Sequence, residues 1–479
     1  MPASGDITAP HSEFAPPGRA AETWLYRALL LVVALAALPL GSNRPLPAAA
    51  LALAVGLLMA LWGLLAATSA LRVRVGPARL IWPLALYGAV CLWILLQWLP
   101  GVPAPFADPA WREASRILGT EVAGRMSVDP EATLTGLMHL LTYAGVFWLS
   151  LQLLREPERA RSALRAVALI GALYALYGLV VFFAGNEWIL IYRKWAYRDT
   201  LTSTFVNRNS YATFAGLTLL CAVALLLDRI RHLLALSRPL RIKFVLLVEE
   251  LTARGWWITI AVLSISMALV LTASRAGVTA SMIGLLCLLA AYLMRRAINR
   301  TQLLVISALL AGIAGMTFFI SGDRLVERAS ALEGGGNFGP RGEVYALTID
   351  AIKSSPWTGT GFGTFADVFP AYRGGDMPPQ VLWDKAHNTY LENALELGVP
   401  AALILDLSIL LLVFRAVRGV LERQREKVLP AIGVAASVIV GLHSLVDFSL
   451  QIPAVSVLYA FLLGMSVSQS WGSSPSSPS

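Results

Sequence analysis

The chain has 479 residues, of which 57% are hydrophobic and only 14% charged, with a mean hydropathy of +0.66. Soluble globular chains carry about a quarter charged residues, so this composition excludes an ordinary cytosolic enzyme and excludes disorder. The formal net charge is +9, from 38 Lys and Arg against 29 Asp and Glu, and only its placement along the chain tells what it means.

Residues 1–24 are polar and contain proline. They lack the basic region and short apolar stretch of a cleaved signal peptide, so they read as a cytoplasmic tail before a retained first helix. Apolar runs follow at 26–40, 46–67, 80–99, 134–153, 164–185, 209–227, 256–273, 276–294, 302–320, 396–414, 428–446 and 453–469. A bilayer-spanning helix needs about 20 such residues. The pattern predicts an all-α integral membrane protein of about twelve transmembrane helices. Nine lie within 25–320, a loop domain occupies 321–395, three more lie within 396–470, and a Ser/Pro-rich tail covers 471–479. Cys91, Cys221 and Cys287 each sit inside an apolar run, with neither loop pairing nor CxxC spacing, and read as small buried hydrophobes.

Alternate connections divide the charges unequally. One side, with both termini, holds 23 basic residues against 10 acids; the other holds 15 against 18. The positive-inside rule puts the basic side in the cytoplasm, so the +9 is a topology signal and not a nucleic-acid signal. The longer segments 100–133, 186–208 and 321–395 then face outward. Within the last of these, a helix is expected at 341–354, a turn region at Ser355–Gly363, and a second helix from near Asp384 to Gly398-Val-Pro400.

Charges at the outer span ends carry the chemical information, because ions beside lipid are expensive. Arg275 is the only charge in Leu271-Thr-Ala-Ser-Arg-Ala-Gly277. Arg193, Lys194, Arg198 and Arg208 crowd one short segment among Trp195, Tyr197, Asn207 and Asn209, a composition suited to an anion. His387 falls in the first turn of the helix expected after Asp384, where the dipole favours a neutral imidazole and a bound anion. Asn388 and Glu392, four residues apart, share a helix face as its candidate supports. Asp447, one helical turn after His443, is a second candidate partner for His387. His11, His139 and His232 read as surface or packing residues, and Gly359-Thr-Gly-Phe-Gly363 reads as a turn rather than a phosphate loop. No ligand spacing for a metal occurs, and no cofactor is expected.

Four stretches in order resemble the O-antigen ligase/polymerase superfamily: Phe205-Val-Asn-Arg-Asn-Ser-Tyr-Ala212, Thr272-Ala-Ser-Arg-Ala-Gly277, Arg341-Gly-Glu-Val-Tyr345 with Gly359–Gly363, and Lys385-Ala-His-Asn-Thr-Tyr-Leu-Glu392. The resemblance covers about 200–455. It implies a fold similar to the C-type membrane glycosyltransferases. It also implies metal-independent transfer of a glycan from undecaprenyl pyrophosphate to a sugar hydroxyl, on the periplasmic face of the bacterial inner membrane. The acceptor is the lipid A core for a ligase, or another lipid-linked repeat for a polymerase; the sequence leaves that choice open. By resemblance Arg208 and Arg275 bind the pyrophosphate, with Arg198 or Arg341 as helpers. His387 is the base; from their positions, and not from the resemblance, Asn207, Asn388, Glu392 and Asp447 are expected to support the site. In-line displacement inverts the anomeric centre. The implied partners are the lipid-linked donor, a glycolipid or lipid-linked acceptor and membrane lipids, with no nucleic acid. A polysaccharide or lipid transporter, or an inert scaffold of an export assembly, is the competing class. A transporter places ionisable groups along a midplane path in paired halves, whereas here they gather at the outer ends, with Asp406 the exception.

Overall fold

Proline opens most of the long helices, which suits its fixed φ and its missing N–H donor at the first turn. The protein is described by a computed structural model over residues 17–235, 238–293, 340–374, 383–423 and 427–472. Among these residues the helices are α1 (Pro17–Ala36), α2 (Pro45–Ala67), α3 (Ile81–Trp98), α4 (Pro109–Leu118), α5 (Pro130–Leu153) and α6 (Pro157–Phe183). There follow α7 (Arg208–Ala235), α8 (Leu240–Glu249), α9 (Trp256–Leu271), α10 (Arg275–Leu293) and α11 (Pro340–Ser354). The series ends with α12 (Phe365–Val368), α13 (Thr389–Leu397), α14 (Val399–Glu422), α15 (Val428–Ser444) and α16 (Pro453–Ser468). One small departure from an all-α chain is a two-stranded antiparallel hairpin, β1 (Trp188–Ile189) with β2 (Tyr192–Arg193), in which Trp188 pairs with Arg193 and Ile189 with Tyr192.

Eleven of the twelve expected spans coincide with a helix. The twelfth, 302–320, lies outside the described residues, as do His11 and most of the N-terminal tail, 321–339 and 375–382 of the loop domain, and 473–479. Among the described residues, seven helices are long and apolar enough to cross a membrane, or eight if the pair Arg241–Arg254 and Trp256–Leu271, bent by 86°, forms one span. Helices α15 and α16 are apolar but shorter. The chain is a multi-pass membrane protein.

Burial sorts the helices into a centre and a rim. Helix α16 is buried along its whole length and packs on α5 and α15. Around it α7 packs on α6, α9 and α10, and α10 on α15. Helix α2 instead turns Leu53, Leu57 and Leu64 outward, as a lipid-facing helix must. Lipid supplies no hydrophobic drive between helices, so close contact between small residues does the joining. A Cβ on Gly216 of α7 would overlap the Ser281 hydroxyl of α10, and one on Gly433 of α15 would overlap Ser466 of α16.

The two ends of the bundle differ in charge. At one, Arg155 donates to the Ser468 carbonyl at 2.7 Å, Arg423 to that of Trp471 at 2.9 Å, and Arg74 and Arg159 each reach Glu22 at 3.3 Å. At the other end the starts of α7, α10 and α13 meet the link between α15 and α16. We predict that Gly216→Leu and Gly433→Leu each lower the thermal stability of the detergent-solubilised protein, by about 1–3 kcal/mol as overpacking does. Equal shifts from Gly76→Leu, at a position with no atoms near the added Cβ, would contradict this.

Candidate active site

Asp447 lies just after α15 with none of its surface exposed. Its Oδ1 accepts a hydrogen bond from Asn209 Nδ2 at 3.2 Å, and its Oδ2 accepts one from the Ser449 hydroxyl at 2.6 Å. The Thr389 hydroxyl donates to its backbone carbonyl at 3.2 Å. His387 Nδ1 faces Oδ1 at 3.6 Å, just beyond hydrogen-bond range. Burial pushes the Asp447 carboxyl up, but His387, His443 and the Ser449 hydroxyl outweigh it and hold the group below the usual carboxylate range.

Asparagine and serine caps bring these side chains together. Asn207 accepts from Asn209 N at 2.7 Å and so begins α7. Ser274 accepts from Gly277 N at 3.3 Å at the start of α10. Asn388 accepts from Tyr390 N and Leu391 N, both at 3.1 Å, and donates from Nδ2 to the Leu445 carbonyl at 3.0 Å. Because Asn388 is the cap, α13 begins at Thr389 and not near Asp384 as expected. His387 therefore precedes the helix instead of occupying its first turn, and its backbone is left-handed, with φ at 54°.

Glu392 holds that turn in shape. It is almost wholly buried, accepts from Ala386 N at 2.8 Å and pairs with Lys385 Nζ at 3.3 Å. It thus supports His387 through the preceding peptide, without touching the ring. Burial alone would lower the Lys385 ammonium, but the carboxylates of Glu392, Glu396 and Asp384 raise it above its ordinary value. The Tyr345 hydroxyl donates to the His387 carbonyl at 2.9 Å. The imidazole itself stands edge to face between Trp383, at 5.4 Å, and Phe448, at 4.9 Å.

The arginines fall into two groups. Arg341 donates to the Val446 carbonyl at 3.0 Å, beside Asp447, and Arg208 stacks on Tyr197 at 5.5 Å one residue before Asn209. Arg275 opens α10, two residues before Gly277, which abuts Ala212 of α7 and His443 of α15. Arg198 stays apart: it is exposed, and its Nε donates to the Lys194 carbonyl at 3.2 Å. Arg193 pairs with Glu187 at 3.2 Å, and buried Lys194 donates to the Thr200 carbonyl at 3.3 Å. His443 bonds Thr213 at 2.6 Å.

Gly359–Gly363 is a turn. Gly361 N donates to the Glu396 carbonyl at 3.0 Å, Val128 N to the Thr360 carbonyl at 2.9 Å, and Phe365 N to the Glu396 carboxylate at 3.0 Å. Gly359 and Gly361, with φ of 67° and 105°, have no room for a Cβ against Glu396 and Ser127. Behind α13 a cavity of about 1130 Å³ runs between α2, α3, α5, α14 and α16. Met59, Tyr87, Trp148 and Tyr459 line it below, and Lys385, Thr389 and Glu392 line it at the back of the His387 turn. Among the described residues no three His, Cys, Asp or Glu side chains gather as a metal site.

Residues 260–405 match the family model described as O-antigen ligase. Over that segment the match supports the resemblance to the O-antigen ligase/polymerase superfamily. The matched segment contains Arg275, Arg341 and His387; Arg208 and Asp447 lie outside it. A search of curated proteins finds no match.

Sequence reasoning gives Ser449 no role, and it names Asn209 and Tyr345 without the contacts they make to Asp447 and His387. The signal for Tyr345 was present, because it stands four residues after Arg341 and so on one helix face with it. A depressed carboxylate contributes stability that is fully present above its unfolded value of about 3.9 and is lost as pH falls through the lower folded value. Thermal unfolding followed from about pH 7 to about pH 3 should show this loss, and Asp447→Asn should reduce the slope. An unchanged slope would remove Asp447 as its source.

Proposed function

We propose that the protein is a glycosyltransferase that moves a glycan from undecaprenyl pyrophosphate to a sugar hydroxyl on the periplasmic face of the bacterial inner membrane. The observation that carries this reading is the meeting of His387 and Asp447 with Arg208 and Arg341 at one end of the bundle, where α7 and α10 also begin. The match of 260–405 to the O-antigen ligase model supports a lipid-linked glycan substrate in general. The excess of basic residues at the opposite end supports a cytoplasmic location for that end and for both termini.

In this mechanism the Nδ1–H of His387 faces the Asp447 carboxylate, which leaves Nε2 as the basic nitrogen. Nε2 takes the proton of the acceptor hydroxyl as its oxygen attacks the anomeric carbon. The bond from that carbon to the pyrophosphate oxygen breaks on the opposite side, so the anomeric centre inverts. Arg208, Arg275 and Arg341 meet the charge that develops on the leaving pyrophosphate, helped by the N-terminal dipoles of α7 and α10. Arg198 sits farther out and serves the approach of the donor. Asn207, Asn388 and Glu392 hold the turns that carry these groups. The apolar cavity behind α13 accommodates the polyprenyl chain of the donor.

Purified protein supplied with undecaprenyl-linked glycan and an acceptor glycolipid should form the glycosidic product. His387→Ala should lower transfer about 10²–10⁴-fold, as loss of a general base does. Arg275→Ala should lower it about 10²–10³-fold, as loss of a charge-stabilising donor does. Full activity in both variants would sink the mechanism. A lipopolysaccharide gel of a deletion strain then separates the two acceptors: loss of all capped core marks a ligase, and core bearing one repeat marks a polymerase.

A further inference from the structure

Helix α4, in the segment between α3 and α5, has no part in the site described above. Its sequence, Pro109-Ala-Trp-Arg-Glu-Ala-Ser-Arg-Ile-Leu118, divides cleanly at 100° per residue. Ala110, Trp111, Ala114, Ile117 and Leu118 fall on one side, and Arg112, Glu113, Ser115 and Arg116 on the other. None of its residues is buried. Ile117 is 70% exposed, Leu118 64%, and Phe106 just ahead of the helix 51%. A well-formed helix with an uncovered apolar face in a polar loop needs a solvent for that face.

The helix is well defined at both ends. Asp108 caps it by accepting from Ala110 N at 2.9 Å, and Gly119 ends it in the left-handed conformation. Its height is set by its tethers. Gly101 N donates to the Gly124 carbonyl at 2.8 Å, Asp108 N to that of Arg125 at 2.8 Å, and Ser127 N to that of Gln97 in the last turn of α3 at 3.0 Å. Arg125 also donates to the Trp98 carbonyl at 2.8 Å and stacks on its ring at 5.9 Å. These bonds keep α4 at the level where α3 leaves the apolar layer. Trp111, at the edge of the apolar side, donates from its indole to the Ser127 carbonyl at 2.9 Å, which turns that side toward the end of α3. Leu96 and Leu99 of that end are themselves exposed, so the apolar surface of the span continues toward the helix.

We propose that α4 is an interfacial helix: it lies in the headgroup layer of the membrane that the spans cross, with Ile117, Leu118 and Phe106 toward the acyl chains and Arg112 and Arg116 toward water. The occupant of its apolar face is the lipid surface, because the tethers leave the face at that depth and no protein covers it among the described residues.

The test uses the full chain in lipid nanodiscs, with Cys91, Cys221 and Cys287 replaced by alanine and a spin label placed on single cysteines at Arg112, Glu113, Ile117 and Leu118. Relaxation by dissolved oxygen and by a water-soluble nickel chelate reads depth. Labels at Ile117 and Leu118 should be open to oxygen, shielded from nickel and about 5–10 Å below the headgroup boundary; labels at Arg112 and Glu113 should be open to nickel. Nickel access at all four positions would place the helix in water and overturn the proposal. Shielding of Ile117 and Leu118 from both reagents would mean a protein cover, and would overturn it equally. Should the cysteine-free chain fail to fold, a photoreactive side chain at Ile117 or Arg112 of the unaltered chain gives a second readout. Lipid adducts should form from position 117 and not from position 112, and the reverse result refutes the assignment. Neither measurement depends on the glycan-transfer reading.

Discussion

A carboxylate buried at the meeting point of three chain segments organises the site. Taking such a charge out of water costs several kcal/mol unless polar groups surround it, and Asp447 finds two hydrogen-bond donors and a nearby imidazole. Asn209 comes from the first turn of α7, Ser449 from the link before α16, and His387 from the turn before α13. Asn209 and His387 lie far from Asp447 in sequence, so the charge is fully surrounded only once the helices are assembled. The same requirement sets the position of the imidazole, whose Nδ1 is the nearest remaining partner.

Around that carboxylate the polar groups are held by capping rather than by long-range pairing. Asn207 and Asn388 each settle the first turn of a helix with one side-chain oxygen, and Asn388 spends its amide on the Leu445 carbonyl, two residues before Asp447. Each cap therefore links a helix start to the site. Positive helix ends and guanidinium groups then share one region, while the larger store of arginine lies at the opposite end on carbonyls and on Glu22. In the low dielectric near a membrane surface a few such groups act on an anion more strongly than they would in water.

Much of this was legible in the chain. The apolar runs give the helices within a few residues, because a 20-residue run has few alternatives, and the helix at 340–354 follows its expected bounds closely. The outlying charges Arg208, Arg275, His387 and Asp447 stand out because ions beside lipid need a reason, whereas Arg341 is marked only by the resemblance. The start of α13 was misread, since Asp384 and Asn388 are both good caps and only tertiary contact chooses between them. Leu445 and Glu392 make that choice, the first by accepting from Asn388 and the second by holding Ala386. The pairing of Asn209 with Asp447 is invisible for a similar reason: an asparagine at a span end gives no sign of a partner more than 200 residues away.

The left-handed backbone of His387 has a bearing on how any substitution there is interpreted. This region costs an ordinary L-residue roughly 1–2 kcal/mol, and asparagine, aspartate and histidine enter it more readily than most. An alanine at 387 therefore changes two things at once, the imidazole and the conformational preference of the turn that presents it. Asparagine removes the ring while keeping much of the backbone preference. Comparison of the two separates what the ring does from what the turn does, and a position whose side chain and backbone are both selected has few acceptable replacements.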